Sequence, residues 1–374
     1  MRTVLLALAL CPLHAQPARE IGIDSHIDTA QRVLIDRADI SKRSPVGHVD
    51  LPRMKEGGVN AAFFALWVPT YYKGAEAIRR TLDLRDAMQR LFDLHPEQIG
   101  LALTAADVER ITRSQRIAAI LSIEGGHQID SDLAVLRMYH RLGIRSMTLT
   151  HFRNTEWADS STDKPVNNGL TAFGKEVVRE MNRLGMVIDI SHVADKTFFD
   201  VLAVSDKPVI ASHSSCRALS DVPRNMTDDM LRALAKNGGV IGINFGEGFL
   251  NPKDAEQLMA SIQNLTAEPA LTGKALDAYA AEEFRKEMRQ AKPAFATIDD
   301  AVAHIDYAVK IAGIDHVGIG SDFDGISSPP KGLEDISKVA ALKAAVKKKG
   351  YSDEDVRKIF GANTLRVLRE VTGK

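Results

Sequence analysis

The sequence predicts an α/β protein folded as a single (β/α)8 barrel, the TIM barrel, and three observations support this. Short apolar runs recur eight times along the chain, amphipathic stretches separate them, and most runs end in polar residues or glycine. Strands that alternate with helices form parallel sheets. Eight such units favour a closed barrel over an open, doubly wound sheet.

The apolar runs define the predicted strands, at residues 21–27, 59–68, 117–123, 144–150, 186–191, 208–212, 239–245 and 316–321. Helical patterns lie between them at residues 75–94, 132–142, 170–184 and 227–236. The last helix has the clearest beginning, because Thr227 can cap its first turn and Asp228 and Asp229 complement the helix dipole. The right-handed crossover rule then sets the winding of the units.

Two tracts are longer than a minimal barrel requires. Residues 247–315 separate the seventh and eighth predicted strands and contain a helical pattern at 275–288 that is rich in lysine and glutamate. Residues 326–374 follow the last strand and hold a helix near 352–368. No low-complexity or Pro/Ser-rich linker divides the chain. We therefore predict one barrel domain over residues 16–374, with an insertion at about 247–315 and a C-terminal helical extension.

Composition excludes some partners and some kinds of metal site. The formal net charge is -1, so the chain has no long-range field for a polyanion and we predict no nucleic-acid partner. The chain has only two cysteines, Cys11 and Cys216, which excludes a zinc site built on thiolates. Any metal must therefore be held by histidine and carboxylate side chains.

The N-terminus resembles an export signal. Arg2 precedes an apolar run at residues 3–10, and Leu13-His14-Ala15 is a candidate cleavage site. We predict a signal peptide at residues 1–15 and a periplasmic or secreted protein. A lipoprotein box at 8–11 is an alternative, although Leu10 is bulky where a small residue is needed; an ordinary buried segment is another. The run is too short to span a bilayer and no second one exists, so no transmembrane segment is predicted.

Histidine and acidic side chains follow six of the eight predicted strands. The carboxyl ends of barrel strands form one rim, so these side chains are expected to converge there. Each residue alone has an ordinary explanation, such as a hydrogen-bonded core histidine, but the repetition at six strand ends predicts a functional site. The residues are His26, Asp28, Glu124, His127, His151, His192, His213, Asp322 and Asp324.

The donor types point to metal chemistry. Imidazole nitrogen and carboxylate oxygen without thiolate suit zinc or a similar divalent ion. His26 and Asp28 are two residues apart and share one face of a strand, so they can bind one cation together, with Asp24 one layer deeper. In strand order Glu124 lies between this pair and the histidines 192 and 213, which makes it the natural bridge between two ions. A water shared by two ions is deprotonated near neutral pH and would attack as hydroxide.

Several motifs together resemble those of the membrane (renal-type) dipeptidase family, peptidase family M19. The resemblance extends from about residue 20 to residue 370, and the motifs occur in the family's order. Ile27 stands where the family commonly carries asparagine, which leaves the candidate metal ligands intact. The motifs are DSHID at 24–28, EGGH at 124–127, TLTH at 148–151, NTEWAD at 154–159, DISH at 189–192, SHS at 212–214, RN at 224–225, GSDFDG at 320–325 and GANTLRV at 361–367.

The resemblance implies a barrel of the amidohydrolase-like, metal-dependent hydrolase type that holds two zinc ions per subunit. One zinc would be bound by His26, Asp28 and Glu124, and the second by Glu124, His192 and His213. The implied activity is hydrolysis of small dipeptides that have a free C-terminal carboxylate, with an L- or D-configured C-terminal residue. Family analogy also suggests a homodimer.

Three further residues receive roles from the same resemblance. His151 would contact the scissile carbonyl and stabilise the oxyanion, and Arg224 would bind the substrate's C-terminal carboxylate through a bidentate contact. Asp322 would bind the free amine or transfer a proton to the leaving nitrogen. Simpler readings are a surface ion pair of Arg224 with Asp221 or Asp228 and a packed role for His151.

The sequence also allows other roles for some of these residues and other activities for the barrel. Asp324 competes with Asp322 for one role, and Asp322 is favoured because it closes the strand. His127 is expected to support Glu124, and Trp67 is expected in the strand core, with Tyr71 or Tyr72 at the mouth. The same barrel could act on another small amide, lactone or ester; a neutral ester, unlike a free C-terminal carboxylate, does not need the cation that Arg224 would supply. A third interpretation is that the barrel binds a metal or a ligand and has no catalytic activity.

Overall fold

The computed structural model describes residues 20–265, 268–289 and 294–373. The predicted signal peptide at residues 1–15 lies outside these ranges, as does Cys11. None of the helices in the described ranges has the length and apolarity that a bilayer crossing requires.

Eight parallel strands close into a barrel, which confirms the predicted fold. The ring runs β1-β2-β4-β5-β6-β7-β8-β9 and closes where β9 pairs with β1, and each ring strand overlaps one predicted run. The short strand β3 is the element that the prediction missed; it pairs beside the beginning of β4 and is not part of the ring. The strands are β1 Ile23–Ile27, β2 Ala61–Trp67, β3 Ile99–Leu101, β4 Ile117–Glu124, β5 Ile144–Thr148, β6 Val187–Asp189, β7 Ile210–Ser214, β8 Val240–Ile243 and β9 Val317–Ile319.

Helices surround the ring, and the predicted helical patterns correspond to α3, α5, α6, α8 and α11. Thr227 caps α8 as predicted, since its side chain accepts a hydrogen bond from the backbone N–H of Met230. The α-helices of the described residues are α1 Thr29–Ile35, α2 Leu51–Gly57, α3 Ala75–Leu94, α4 Ala105–Arg113, α5 Leu133–Arg141, α6 Ala172–Leu184, α7 Asp195–Val204, α8 Asp228–Asn237, α9 Glu247–Leu250, α10 Ala255–Leu265, α11 Gly273–Arg289, α12 Ile298–Ala312, α13 Val339–Lys348, α14 Asp353–Arg357 and α15 Asn363–Thr372.

The single C-terminal helix expected near 352–368 is instead broken into α14, a π-helical turn and α15. The break lies at Gly361, which packs against the beginning of β1. A Cβ atom on Gly361 would lie 1.9 Å from the carbonyl oxygen of Ile21, so only glycine allows this close approach. The break lets α15 turn and cover the barrel.

Apolar packing seals the amino-terminal end of the barrel. On β2, β4, β6, β7 and β8, neighbouring side chains belong to two different clusters, since successive strand residues point to opposite faces. On β2, Phe63 belongs to a small cluster with Leu365 and Leu368 of α15, whereas Phe64 belongs to the large cluster that contacts the surrounding helices. The polar side chains are therefore left to the opposite, carboxyl-terminal end of the strands.

The insertion between β8 and β9 contains α9 to α12 and covers the carboxyl-terminal end of the barrel. Its longest helix, α11, is fixed to the region around α3 by the carboxylate of Asp277. This carboxylate accepts hydrogen bonds from Tyr72 Oη at 2.9 Å and from Arg79 Nη2 at 2.8 Å. Phe284 on the same helix is buried and lines the cleft at the strand ends. The insertion thus forms one wall of that cleft.

Candidate metal centre and substrate cleft

The predicted site residues meet at the carboxyl ends of the strands. A cleft opens there beneath the insertion. Its volume is about 830 Å³ when the open space at its mouth is included. Eight residues received a metal-binding or substrate role from the family resemblance. Seven of them line this cleft, and the eighth, His26, is fully buried beside Glu124. The seven are Asp28, Glu124, His151, His192, His213, Arg224 and Asp322.

Glu124 lies at the centre of the site and turns its two oxygens toward different histidines. Its Oε2 is 3.3 Å from Nε2 of His26, which is itself 3.4 Å from Oδ2 of Asp28. Its Oε1 is 3.2 Å from Nε2 of His192 and 3.3 Å from Nε2 of His213. A carboxylate shared in this way between two groups of ligands has the arrangement that bridges two metal ions.

The donor set fits divalent cations. The ligand atoms of Glu124, His26 and His213 lie within 4.8 Å of one another, as do those of Glu124, His151 and His192. Buried polar atoms normally have a hydrogen-bond partner, yet Nε2 of His26 and Oδ1 of Asp28 have none in the part of the chain that the structure describes. Imidazole nitrogens and carboxylate oxygens without thiolate suit zinc and similar ions.

The electrostatics of the carboxylates also favour a cation. Burial raises the pKa of Asp28 to about 6 and that of Asp322 to about 7, and it raises the pKa of Glu124. Burial opposes a charge on His26 as well, but the nearby Glu124 and Asp28 hold its pKa well above the usual value. The cluster therefore has an excess of negative charge in a desolvated site, which a divalent cation would neutralise.

The remaining histidines are in the form that binds metal. Burial, together with nearby cationic groups such as Arg224, places the pKa values of His151, His192 and His213 well below the usual value. Metal ligation requires the neutral imidazole, because the coordinating nitrogen must carry a free lone pair.

Irregular backbone turns three of these side chains into the site. The strand register shifts between Asp24 and Ile27 on β1 and between Ala211 and Ser214 on β7, around the two histidines 26 and 213. His192 has a φ of 67°, a left-handed conformation that is rare for residues other than glycine. Such departures re-aim side chains and cluster at functional sites.

A buried carboxylate fixes the ring of His213. Asp189 accepts a hydrogen bond from Ser212 Oγ at 2.5 Å and another from Thr148 Oγ1 at 2.7 Å. Ser212 has only one hydroxyl proton, so its 2.8 Å contact with His213 Nδ1 has the imidazole N–H as donor. This leaves Nε2 of His213 without a proton and directed toward Glu124, as a metal ligand requires.

Asp24, expected one layer below the pair at 26 and 28, has a positioning role. Its Oδ1 accepts the backbone N–H groups of His26 at 3.1 Å and of Ser321 at 2.9 Å. It thereby ties the end of β1 to the segment that follows β9.

Asp322 and Asp324 have separate environments. Oδ1 of Asp322 lies 4.0 Å from Nε2 of His26, and its Oδ2 accepts a hydrogen bond from Asn244. Asp324 instead forms a buried ion pair with Arg32 at 3.0 Å and accepts a hydrogen bond from Thr29 at 2.8 Å. Asp322 is therefore the residue placed for chemistry, and Asp324 holds the loop to α1.

This separation predicts opposite effects for two matched substitutions. Asp324→Asn leaves Arg32 as an uncompensated buried charge and should lower the free energy of unfolding by about 3 kcal/mol. Asp322→Asn should change that free energy by less than about 1 kcal/mol while it removes most hydrolytic activity. Urea denaturation of the two variants, with an activity assay on each, makes the comparison. Equal losses of stability in both variants would contradict the assignment.

Gly325 provides the space in which the two carboxylates meet. A Cβ atom there would lie 2.2 Å from Oδ2 of Asp28 and 2.6 Å from Oδ1 of Asp322. We expect Gly325→Ala to displace both oxygens and weaken metal binding by about 10- to 100-fold, the loss typical when a residue that positions a metal ligand is changed. Gly100→Ala is the matched control, because a Cβ there meets only ordinary contacts at 3.5 Å or more. Competition with a chromogenic chelator measures both affinities; equal affinities for the two variants would disprove this role.

Arg224 is a buried guanidinium that faces the cleft. It is 3% exposed, donates from Nη2 to the carbonyl oxygen of His213 at 3.0 Å, and lies 5.2 Å from the ring centroid of Phe249. Among the described residues no carboxylate lies within ion-pair distance of it. The alternative of a surface pair does not hold, since Asp228 contacts Arg232 and Tyr307 instead. A buried cation that has no anionic partner among the described residues is suited to an anionic group of a ligand.

His151 lies beside the candidate metal ligands. Its Nε2 is 3.7 Å from Oε1 of Glu124, and its Nδ1 accepts a hydrogen bond from Trp67 Nε1 at 3.4 Å. Trp67, expected in the strand core, thus lines the cleft, whereas neither Tyr71 nor Tyr72 is among the residues that line it.

His127 does not contact Glu124 in the expected way. Its hydrogen bonds go to the backbone of Val68 and Pro69, and burial lowers its pKa to about 4. The neighbouring Gln128 supports the strand end instead, since its Nε2 donates to the carbonyl oxygen of Glu124 at 2.6 Å.

The carboxyl end of β8 supplies residues that the prediction missed. Asn244 holds Asp322, and Glu247 and Phe249 line the cleft. The signal was present, because polar Asn244 and Glu247 follow an apolar run as at the other strand ends. This signal is weaker than at the other strand ends, because the segment contains no histidine and begins the long insertion.

Comparisons with known proteins agree with this geometry. Residues 15–373 match the family described as membrane dipeptidase, peptidase family M19. The chain is 38% identical over 335 residues to dipeptidase tcpJ of Claviceps purpurea, covering 87% of this chain and 69% of that protein.

Two solved structures share the whole fold. The probable dipeptidase PvdM of Pseudomonas aeruginosa superposes with a TM-score of 0.80 at 28% identity, over 95% of this chain and 96% of that one. A metallopeptidase from Rhodobacter sphaeroides, bound to a phosphinate mimic of the dipeptide L-Ala-D-Ala, superposes with a TM-score of 0.77 at 27% identity, over 94% and 99% of the two chains.

Proposed function

Because this chain belongs to the membrane dipeptidase family, peptidase family M19, we propose that it is an exported zinc dipeptidase with two metal ions per subunit. The main support for this proposal is the position of Glu124, whose two oxygens face separate histidines at 3.2–3.3 Å. His26 and Asp28 complete one zinc site, and His192 and His213 complete the other.

The residues of the chain prepare the site for hydrolysis. The chemistry that two zinc ions supply when bound is Lewis acidity toward the scissile carbonyl and a lowered pKa for the attacking water. His151, neutral and held by Trp67, is placed to donate a hydrogen bond to the developing oxyanion. Asp322, whose pKa is raised to about 7 by burial, can accept and release a proton near neutral pH, or bind the substrate's amine.

Arg224 supports the choice of a dipeptide as substrate. A free C-terminal carboxylate would satisfy the buried guanidinium through paired, charge-assisted hydrogen bonds. A neutral ester or lactone would leave that charge unpaired, which disfavours the alternative amidohydrolase reactions. The Rhodobacter relative is bound to a mimic of L-Ala-D-Ala, which supports a D-configured C-terminal residue as one accepted substrate.

Export and assembly complete the proposal. The apolar run at residues 3–10 and the small residue Ala15 support removal of residues 1–15 during export to the periplasm or the medium. The homodimer is proposed from family analogy. N-terminal sequencing of the protein from cell fractions and the mass of the complex in solution test these two points; a cytoplasmic chain that starts at Met1 contradicts export.

A substrate panel tests the reaction class. Zinc-loaded protein should cleave free Xaa-L and Xaa-D dipeptides and should not cleave N-acyl amino acids, lactones or phosphoesters at a comparable rate. A chelator should abolish the activity. Cleavage of the esters alone would replace the dipeptidase with another metal-dependent hydrolase.

A further inference from the structure

Glu247 is a carboxylate in the cleft wall that the proposed mechanism does not use. It follows β8 as the first residue of α9, lines the cleft and is 7% exposed. Its Oε1 accepts a hydrogen bond from Nε2 of Gln257 at 3.3 Å. Within the described ranges no lysine, arginine or histidine lies within ion-pair distance of it.

The surroundings of Glu247 do not offset its charge. The apolar side chains of Phe249, Leu258 and Ile262 line the same cleft. The nearby charged groups are the carboxylates of Asp254 and Asp322, and burial together with Asp254 raises the pKa of Glu247 to about 7. A desolvated carboxylate among apolar and acidic neighbours is unfavourable until a cation joins it.

The compensating cation is not a third metal ion. Among the described residues, none of the groups of His, Asp and Glu that could hold a metal includes Glu247. Asp254 is already engaged, since its carboxylate accepts the backbone N–H groups of Phe295 and Ala296 at 3.0–3.2 Å. Glu247 is therefore a single acceptor that opens into the cleft, which suits a nitrogen cation of a ligand rather than a coordination sphere.

We propose that Glu247 binds a positively charged nitrogen of the substrate and thereby positions the dipeptide while Arg224 holds its carboxylate. The inference rests on the proposed function. The cation is either the α-ammonium group, present on every free dipeptide, or the side chain of a lysine or arginine residue. If Glu247 binds the α-ammonium group, Asp322 is left free for proton transfer to the leaving nitrogen.

Steady-state kinetics of the zinc-loaded Glu247→Gln variant test the role. This change keeps the shape and removes the charge, so KM should rise about tenfold or more with kcat changed less than about twofold, as for a lost charge-assisted contact. The substrates are Gly-Leu, Gly-norleucine and Gly-Lys, with Lys-Gly and norleucine-Gly to place the cation on the other residue. Glu256→Gln is the matched control, because Glu256 is an exposed carboxylate on the same insertion and does not line the cleft.

A binding measurement separates the two sources of the cation without turnover. Calorimetry would compare a phosphinate dipeptide isostere with its N-acetylated form on both proteins. If Glu247 binds the α-ammonium group, the variant loses affinity only for the free amine, and KM rises for every dipeptide. If Glu247 binds a side-chain cation, only the lysine-containing dipeptides lose affinity.

The inference and the proposed function can fail separately. Unchanged KM values for all five substrates in a folded Glu247→Gln variant overturn the role of Glu247 and leave the dipeptidase intact. Wild-type protein that cleaves no dipeptide overturns both. If Glu247→Gln fails to fold, the same kinetics are measured on Glu247→Asp, which keeps the charge but shortens the side chain. Unchanged KM values in that variant also overturn the role.

Discussion

Glu124→Gln should abolish dipeptide hydrolysis and empty the metal centre. The amide has one neutral oxygen and an NH2 group that only donates hydrogen bonds. It therefore cannot present one anionic oxygen to each group of ligands, as Glu124 does at 3.2–3.3 Å. With the bridge lost, we expect kcat/KM to fall by at least about a thousandfold. Metal analysis after gel filtration should find less than one zinc per chain.

The control for this prediction is Glu287→Gln, which removes a negative charge from the same cleft. Glu287 lines the cleft, and no possible metal-holding group found within the described ranges includes it. It should keep the full complement of zinc. A Glu124→Gln protein that retains two zinc ions and substantial activity would mean that Glu124 does not bridge metals.

Arg224→Met should reduce kcat/KM for free dipeptides by about a hundred- to thousandfold, the loss expected for two charge-assisted hydrogen bonds. The methionine fills much of the same buried volume against Phe249, so the cleft should keep its shape. The same dipeptides amidated at the C-terminus should be poor substrates of both proteins, with less than about a threefold difference between them.

The matched control is Arg217→Met, in the same segment between β7 and α8. Arg217 pairs with Asp195 at 2.7 Å and does not line the active-site cleft, so it should leave the kinetics unchanged. If Arg224→Met affected the free and the amidated dipeptides equally, the arginine would support the fold of the site rather than recognise a carboxylate.

The barrel could be predicted because its strands are buried on both faces. Such strands appear in the sequence as continuous apolar runs, as in the Ile117–Glu124 strand, where every residue is buried. The β3 strand has only three residues, with Gly100 at its centre, so it carries no periodic signal. The break before α15 depends on the contact of Gly361 with Ile21, which are far apart in the sequence.

The site could be predicted only where residue type and strand position coincide. His26, Glu124, His192 and His213 follow apolar runs, and the barrel brings such positions together. The bulges around His26 and His213 and the left-handed conformation of His192 come from the folded backbone and leave no mark in a single sequence.

Contacts between distant segments explain the other differences. The ion pair that separates the roles of Asp322 and Asp324 joins residues 292 positions apart. Trp67 ends an apolar strand, a position that predicts a core residue, yet it contacts His151 in the segment that follows β5. Neither contact follows from local pattern.

The most direct test of the binuclear dipeptidase is a zinc titration of the metal-free protein, followed by hydrolysis of a free dipeptide such as Gly-Leu. We expect no activity without metal, a rise in activity that levels off at two zinc ions per chain, and complete loss with a chelator. Equal activity with and without the chelator, or a fully loaded protein that leaves the dipeptide intact, would contradict it.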